Sequence, residues 1–163
     1  MFAPEIMTLA QSVLEACRAR HWRLATAESC TGGLVAGALT AIAGSSEIVE
    51  RGFVTYSNEA KSEMLGVPPE TIAEHGAVSE ETAAAMAQGA LARAPVDLAI
   101  SVTGIAGPGG ATPTKPVGLV LLGLARRDGT CCTERRVFPG DRSAVREAAL
   151  EVALRLLEAE ARR

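Results

Sequence analysis

Two long apolar segments constrain the fold of this chain more than any other feature of its sequence. They are VDLAISVTG at residues 96–104 and VGLVLLGLAR at residues 117–126, and charged residues hardly interrupt either of them. Strands with this pattern occur in sheets that are covered on both faces, whereas a half-exposed strand alternates apolar and polar residues. Helices must therefore pack on both sides of these strands, which predicts a layered α/β fold.

Other segments supply the helices and the remaining strands. Apolar residues recur at helical spacing at positions 6, 9, 10, 13, 14 and 17, and again at 145, 148, 149, 152, 153, 156 and 157. RLATAES, ERGFVTYS and CCTERRVF are typical of shorter strands, and the polar CCTERRVF is expected at an edge of the sheet. A turn at Asp128–Gly129 makes the last two strands antiparallel. We expect a single domain over residues 1–163, a three-layer α/β/α sandwich with a mixed sheet of about five strands.

Composition excludes several classes of function. The net charge is −3, whereas a nucleic-acid-binding protein needs clustered basic charge. No apolar run reaches the roughly 18 residues of a membrane span, and the N-terminus lacks the regions of a signal peptide. The four cysteines form no C-x-x-C pair and no cluster with histidine. We therefore expect no metal site, no disulfide framework and a cytoplasmic protein with reduced thiols.

Three loops that follow strand ends carry the polar residues of a candidate site. They span residues 28–33, 56–61 and 103–118. Ligands of open α/β sheets bind in the crevice beyond the carboxyl ends of the strands, which is where these loops are expected to meet. The three loops are therefore interpreted together as one site.

The first loop, within TAESCTGG, contains two candidate nucleophiles. Ser29 is predicted at the start of a helix, where backbone N–H groups and the helix dipole stabilise an oxyanion or a phosphate. Glycines let a ligand approach the backbone, so Thr31, Gly32 and Gly33 are candidate substrate-binding residues. The alternative is that Ser29 only caps the helix. Cys30 is the rival nucleophile, but we interpret it as a buried structural thiol.

The second loop contains the candidate base. Only two of the 16 basic residues are lysines, and YSNEAK combines Lys61 with the one Tyr and the one Asn of the chain. If Asn58 caps the short helix that follows, the helix dipole and burial both lower the pKa of Lys61, and a neutral amine can accept the serine proton. Tyr56 is a candidate proton relay. The alternative is a surface cation that pairs with Glu59 or Glu63.

The third loop and the segment FPGDR offer groups that could bind an anion. The loop TGIAGPGG is long for a compact domain, and such loops are often functional. In FPGDR, Asp141 is a candidate N-cap, and the two arginines that follow lie four residues apart, on one helix face. A plain strand connection and a solvated helix start are the alternatives. The candidate binding residues here are Thr103, Gly104, Gly107, Lys115, Arg142 and Arg146.

These segments together resemble the CinA C-terminal family, in its stand-alone form. The resemblance runs from about residue 6 to residue 158 and rests on the ordered motifs TAESCTGG, ERGFVTYSNEAKSEMLGV, GAVSEETAAAMAQGAL, SVTGIAGPGG, KPVG and FPGDR. It implies an amidohydrolase of pyridine nucleotide salvage that converts nicotinamide mononucleotide and water to nicotinate mononucleotide and ammonia. It also implies a nucleophile at Ser29 and a lysine at Lys61 with Tyr56 nearby, and no metal or organic cofactor.

The hypothesis that follows is an acyl-enzyme mechanism in which neutral Lys61 activates Ser29. The nucleotide phosphate is expected at a helix N-terminus or at one of the basic residues of the two C-terminal segments. Two alternatives stay open: a nucleotide-binding module without turnover, and a Ser-Lys hydrolase of another amide. The apolar first helix and the scarcity of lysine also favour a homo-oligomer, a dimer or a higher assembly.

Overall fold

The predicted sandwich is confirmed. The computed structural model describes residues 1–163 as a five-stranded sheet with helices on both faces. A short 3-10 helix, Ser45–Glu47, precedes the second strand. The elements are α1 (Pro4–Ala19), β1 (Leu24–Glu28), α2 (Leu34–Thr40), β2 (Val49–Val54), α3 (Asn58–Leu65), α4 (Pro69–His75), α5 (Glu80–Arg93), β3 (Leu98–Gly104), β4 (Leu119–Arg126), β5 (Cys131–Val137) and α6 (Arg142–Arg162).

The sheet is mixed, as the turn at Asp128–Gly129 predicts. The strand order is β2-β1-β3-β4-β5. Strands β2, β1 and β3 are parallel, whereas β4 and β5 pair antiparallel. The connection from β1 runs to β2 on one side, and the next strand, β3, returns to the other side of β1. The carboxyl ends of β1 and β3 therefore flank the crevice in which open α/β sheets bind ligands.

Helices cover both faces of the sheet because its central strands are apolar on both. Helices α1, α2 and α6 pack on one face, and α3, α4 and α5 pack on the other. The larger apolar cluster lies under α1 and α6 and includes Leu14, Ile100 and Leu154, all fully buried. The face that the helical spacing predicts for α1 is the buried one. In α6 the prediction is right only in part: positions 145, 149, 153 and 157 are buried, but 148, 152 and 156 are half-buried, and Leu150 and Leu154 are buried in their place. None of the helices is long and apolar enough to cross a membrane.

Three details of the helices differ from the sequence-based expectation. Helix α2 begins at Leu34, so Ser29 precedes it and does not cap it. The N-cap of α3 is Ser57, whose hydroxyl accepts from the N–H of Ala60, and Asn58 is the first residue inside the helix. Helix α4 was not predicted, because its seven residues include no buried side chain and therefore no apolar stripe. The expected N-cap Asp141 is confirmed, since its carboxylate accepts from the N–H of Ala144, and Ser79 caps α5 in the same way through the N–H of Thr82.

Gly89 allows α5 to pack directly on the end of α3. A Cβ atom at this position would lie 2.0 Å from the carbonyl oxygen of Leu65, which is a backbone atom and cannot move aside. In an unconstrained helix, replacing Gly by Ala stabilises by about 0.5–1 kcal/mol. We expect the opposite sign here: Gly89→Ala should lower the free energy of unfolding by about 1–3 kcal/mol, measured by urea titration.

Gly109→Ala is the matched control for this substitution. No atom lies within 4 Å of the position that its Cβ would occupy, so its unfolding midpoint should stay at the wild-type value. A Gly89→Ala protein as stable as wild type would contradict the close approach of α3 and α5.

Candidate active site

A small cavity lies where the carboxyl ends of β1 and β3 meet α3 and the start of α6. Its volume is about 180 Å³. Seven of the predicted site residues line it: Ser29, Tyr56, Asn58, Lys61, Thr103, Gly104 and Arg142. The structure therefore brings the three predicted loops together at one place.

Ser29 is held at the end of β1 by the backbone. Its N–H donates to the carbonyl of Val102 on β3 at 2.8 Å, which continues the pairing of the two strands for one more residue. The chain makes a tight turn directly after Ser29, in which the N–H of Gly32 donates to the carbonyl of Ser29 at 3.0 Å. Gly32 and Gly33 have φ of +57° and +101°, a backbone conformation that favours glycine. Ser29 is 7% exposed, so its hydroxyl contacts the cavity and has little contact with bulk water.

The N-terminus of α2 is occupied by a carboxylate and does not face the cavity as a free anion site. Glu28 is 1% exposed, and its two oxygens accept from the N–H groups of Val35 and Ala36 at 2.9 and 3.1 Å. A negative charge at this position satisfies the first turn of the helix and its dipole. The prediction that this helix start stabilises an anion at Ser29 is therefore wrong.

Lys61 contacts Ser29 directly. Its Nζ donates to Ser29 Oγ at 3.0 Å and to the carbonyl of Thr55 at 2.9 Å, and the carbonyls of Tyr56 and Ser57 lie at 3.5 Å. The side chain starts in the first turns of α3 and is 1% exposed. No carboxylate pairs with it, so the alternative of a surface ion pair is wrong.

The surroundings of Lys61 favour its neutral form. Burial lowers the pKa of this lysine below its ordinary value of 10.5, because desolvation disfavours the ammonium ion, while the nearby Cys30 acts in the opposite direction. Carbonyl oxygens are the other polar neighbours, and they carry partial charges only. A neutral amine with its lone pair available is what a general base for a serine requires.

Backbone N–H groups around Ser29 are left without acceptors. The N–H groups of Cys30 and Thr31 donate to no backbone carbonyl, although that of Cys30 lies against its own thiol, and the N–H groups of Ala106 and Gly107 in the loop after β3 also donate to no backbone carbonyl. Buried donors of this kind are ordinarily satisfied. They are therefore available to an oxygen atom of a ligand, which fits an oxyanion site at the end of β1.

Cys30 lines the cavity but is a poor nucleophile. Burial raises the pKa of this thiol to about 11, so the reactive thiolate is scarce at neutral pH. Neither histidine lies in the cavity: His21 is exposed, and the ring of His75 faces Glu74 and Glu81. No group of three or more His, Cys, Asp or Glu side chains lies together in a metal-binding arrangement.

Tyr56 and Arg142 meet at the mouth of the cavity. The guanidinium of Arg142 donates to the hydroxyl of Tyr56 at 2.9 Å and to the carbonyl of Gly107 at 2.8 Å. Both side chains are exposed, as befits a mouth that opens to solvent. The tyrosine hydroxyl has no hydrogen bond to Ser29 or Lys61, so only the lysine contacts the serine.

Six predicted site residues do not line the cavity. Lys115 donates to the carbonyl of His75 at 2.6 Å and so ties the loop before β4 to the end of α4. Arg146 donates to the carbonyls of Cys30 and Thr31, on the side of the first loop that faces away from the cavity. The hydroxyl of Thr31 is fully buried without a partner. The six are Thr31, Gly32, Gly33, Gly107, Lys115 and Arg146.

Sequence reasoning missed several residues of the site. The cavity is also lined by Cys30, Ala77, Val78 and Ala106, and the main chain of Thr55 holds the lysine. Ala77 is positioned by Thr103, whose hydroxyl donates to its carbonyl at 2.8 Å. Small apolar residues and backbone carbonyls carry no signal in a sequence. Thr55 and Ala106 lie close in the sequence to the predicted residues Tyr56 and Thr103, whereas nothing in the sequence indicates Ala77 and Val78.

Comparisons with known proteins identify the family and the fold of the chain. The family model of the CinA C-terminal domain matches residues 6–161. The chain is 54% identical over 153 residues to nicotinamide-nucleotide amidohydrolase PncC of Escherichia coli (strain K12), covering 94% of this chain and 93% of that protein. It is 58% identical over 134 residues to a CinA-like protein of Mycolicibacterium gilvum, of which it covers 32%. The crystal structure of competence/damage inducible protein CihA from Agrobacterium tumefaciens superimposes with a TM-score of 0.94 at 49% identity, covering 98% of this chain and 97% of that one.

Proposed function

The chain belongs to the CinA C-terminal domain family, and from that premise we propose that it hydrolyses the carboxamide of nicotinamide mononucleotide to give nicotinate mononucleotide and ammonia. The observation that carries the proposal is the contact of 3.0 Å between Lys61 Nζ and Ser29 Oγ, both buried at the wall of one cavity. A serine and a neutral amine in hydrogen-bond contact form a nucleophile with its base. The name of the Escherichia coli relative supplies the substrate class.

In the first step Ser29 attacks the carboxamide carbon. A neutral lysine has two N–H bonds and one lone pair. If the N–H bonds point to the carbonyls of Thr55 and of Tyr56 or Ser57, the lone pair faces the serine hydroxyl. Lys61 then takes the proton of Ser29 as Oγ bonds to carbon, and the carbonyl π electrons move to oxygen.

The backbone stabilises the charge that develops on that oxygen. The unpaired N–H groups of Cys30 and Thr31 follow the nucleophile directly in the chain. In a cavity with little water, such fixed donors are worth about 3 kcal/mol each in the transition state. The N–H groups of Ala106 and Gly107 are the second set of candidates.

The remaining steps return the enzyme to its starting state. The C–N bond breaks, and the ammonium of Lys61 gives its proton to the departing nitrogen, which leaves as ammonia. Water then attacks the acyl-enzyme ester, with Lys61 again accepting the proton. The C–Oγ bond breaks as Lys61 returns that proton to Oγ, which regenerates Ser29 and the neutral amine. The carboxylic acid product then loses its proton to water and leaves as a carboxylate.

Arg142 is the phosphate contact in this proposal. It is the one basic side chain besides Lys61 that lines the cavity, and it lies at the exposed mouth. A planar guanidinium suits a phosphate because it donates two parallel hydrogen bonds. Lys115 and Arg146, the other basic candidates, do not line the cavity.

The direct test incubates purified protein with nicotinamide mononucleotide. Ammonia and nicotinate mononucleotide should form in equal amounts. Thermal stabilisation by the nucleotide without ammonia would instead indicate a binding module. Equal turnover of nicotinamide mononucleotide and of nicotinamide riboside would indicate an amidase that does not use the phosphate.

We expect Arg142→Gln to raise KM for the mononucleotide. A hydrogen bond to a charged group is worth about 1.5–3 kcal/mol, which corresponds to a change of about 10- to 100-fold. Turnover of the riboside should not change, because it has no phosphate. The measurement is steady-state ammonia release, with Arg155→Gln, an exposed arginine of the same helix, as control. If Lys115→Met raised KM instead, the phosphate would be assigned to Lys115, in the loop before β4.

The proposal includes a cytoplasmic role in pyridine nucleotide salvage and a homo-oligomeric state. All four cysteines are free, two of them buried, and free thiols persist in reducing compartments. The exposed apolar side chains Val54 and Met64 support an assembly at the end of β2 and on α3. The oligomeric state stays a prediction that sedimentation would measure.

A further inference from the structure

Arg146 reaches the catalytic loop from the face of the sheet opposite Lys61. Its Nε donates to the carbonyl of Cys30 at 3.0 Å and its Nη2 to the carbonyl of Thr31 at 3.3 Å. The arginine lies one turn into α6, on the face covered by α1, α2 and α6, whereas Lys61 comes from α3 on the other face. The side chain is half-buried and does not line the cavity.

These two hydrogen bonds fix the direction of an N–H group. The carbonyl of Cys30 and the N–H of Thr31 belong to the same peptide unit, and in a trans peptide they point in opposite directions. Because Arg146 holds the carbonyl on the α6 side, the N–H of Thr31 is directed away from α6. That N–H has no acceptor in the protein.

The next peptide unit is fixed in the same way. The carbonyl of Thr31 accepts from Arg146, and the N–H of Gly32 on the other side of that unit donates to the carbonyl of Ser29 at 3.0 Å. The turn between the nucleophile and α2 is therefore held from both sides. A cation on the carbonyl of Cys30 also polarises the peptide, which makes the N–H of Thr31 a stronger donor.

We propose that Arg146 is a positioning residue that orients and polarises the peptide between Cys30 and Thr31, so that its N–H stabilises the oxyanion formed at Ser29. The inference rests on the proposed function for its substrate and goes beyond it in assigning this arginine to the transition state. It replaces the sequence-based expectation that Arg146 binds an anion directly. Its Nε and Nη2 already donate to the two carbonyls of the loop, and its side chain does not line the cavity.

The test compares Arg146→Met and Arg146→Lys with wild type on nicotinamide mononucleotide and on nicotinamide riboside. Loss of one oxyanion donor lowers kcat by about 100-fold or more, and we expect a fall of this size for Arg146→Met with KM within about threefold of wild type. The fold-loss should be the same on both substrates. Arg146→Lys keeps the charge and one donor, and should lose less. Arg155→Met on the same helix is the control, and melting curves establish that each variant is folded.

A second readout needs no nucleotide. An uncharged fluorophosphonate forms a bond from phosphorus to Ser29 Oγ with loss of fluoride, and the same N–H groups stabilise that transition state. Its labelling rate, followed by intact mass, should fall in Arg146→Met by a factor comparable to the fall in kcat.

Each outcome decides between the two assignments. A loss confined to the mononucleotide, or one expressed in KM, would show that Arg146 contacts the phosphate and would overturn the inference, as would an unchanged kcat. Slower labelling of the variant in a protein that releases no ammonia would overturn the proposed function and retain the positioning role. A wild-type protein that neither labels nor releases ammonia overturns both.

Discussion

Ser29→Ala should abolish ammonia release, with a fall in kcat of at least about 10⁴-fold, which is the scale of losing a nucleophile whose base remains in place. The hydroxyl is the one nucleophilic group of the cavity in contact with a base, at 3.0 Å from Lys61 Nζ. The protein should stay folded, because the backbone of residue 29 continues the pairing of β1 with β3 and does not depend on the side chain. Melting temperature and labelling by a fluorophosphonate complete the measurement.

Two controls separate Ser29 from its rivals. Ser143→Ala removes an exposed serine of α6 and should leave turnover unchanged. Cys30→Ala removes the neighbouring thiol, and because burial raises the pKa of that thiol to about 11, turnover should persist. Activity in Ser29→Ala combined with its loss in Cys30→Ala would transfer the nucleophile to the cysteine.

The second large effect concerns the base. Lys61→Met should lower kcat by about 10²–10⁴-fold, the usual contribution of a general base. Lys61→Arg should be as inactive, because a guanidinium stays protonated in proteins and has no lone pair to offer. The measurement is ammonia release, with Lys115→Met as the matched control, since that lysine lies outside the cavity.

The pH dependence of wild type tests the same assignment. Turnover that needs the neutral amine rises with pH through the folded-state pKa of Lys61, which lies below 10.5 because the side chain is buried. The midpoint of this rise should therefore lie below pH 10.5. A rate that falls as pH rises through that range would mean that the ammonium form is the active one.

Replacing Lys61 should raise the stability of the protein, although it lowers the activity. In the folded protein Lys61 binds its proton more weakly than in the unfolded chain, so folding at low pH carries a free-energy penalty for the buried ammonium or for its deprotonation. This penalty is largest below the folded-state pKa of Lys61 and vanishes above about pH 10.5, where the lysine is neutral in both states. Lys61→Met should therefore raise the unfolding midpoint at pH 7, and the advantage should shrink as the pH approaches 10.5. A structural lysine that mattered as a cation would show the reverse.

The fold could be predicted from the sequence because it rests on local signals, and local signals also indicate Ser29 and Lys61 as candidate reactive residues. The apolar runs 96–104 and 117–126 correctly indicate strands covered on two faces, and the turn at Asp128–Gly129 correctly indicates an antiparallel pair. Ser29 and Lys61 were singled out by position after a strand and by the rarity of lysine. Their contact is a consequence of the parallel order of β2, β1 and β3, which no local pattern contains.

The electrostatics of the site could not be predicted, because they depend on which group reaches which helix end. The sequence indicates an anion-binding helix start next to Ser29, yet the carboxylate of Glu28 occupies it. It indicates two arginines on one helix face, yet Arg142 reaches the cavity while Arg146 reaches the back of the loop. The two arginines are one helical turn apart, yet one is a candidate ligand contact and the other holds the backbone of the loop. This difference depends on the three-dimensional packing of α6 against the loop.

The dependence of the catalytic loop on α6 has a consequence for biosynthesis. Ser29 lies near the N-terminus and leaves the ribosome early. Helix α6, whose Arg146 binds the loop of Ser29, is the last element of the chain. A nascent chain that has already folded β1, β2 and β3 still lacks the arginine behind the nucleophile. Under the proposed mechanism, translation therefore completes the site last, and an incomplete chain cannot yet hydrolyse the nucleotide.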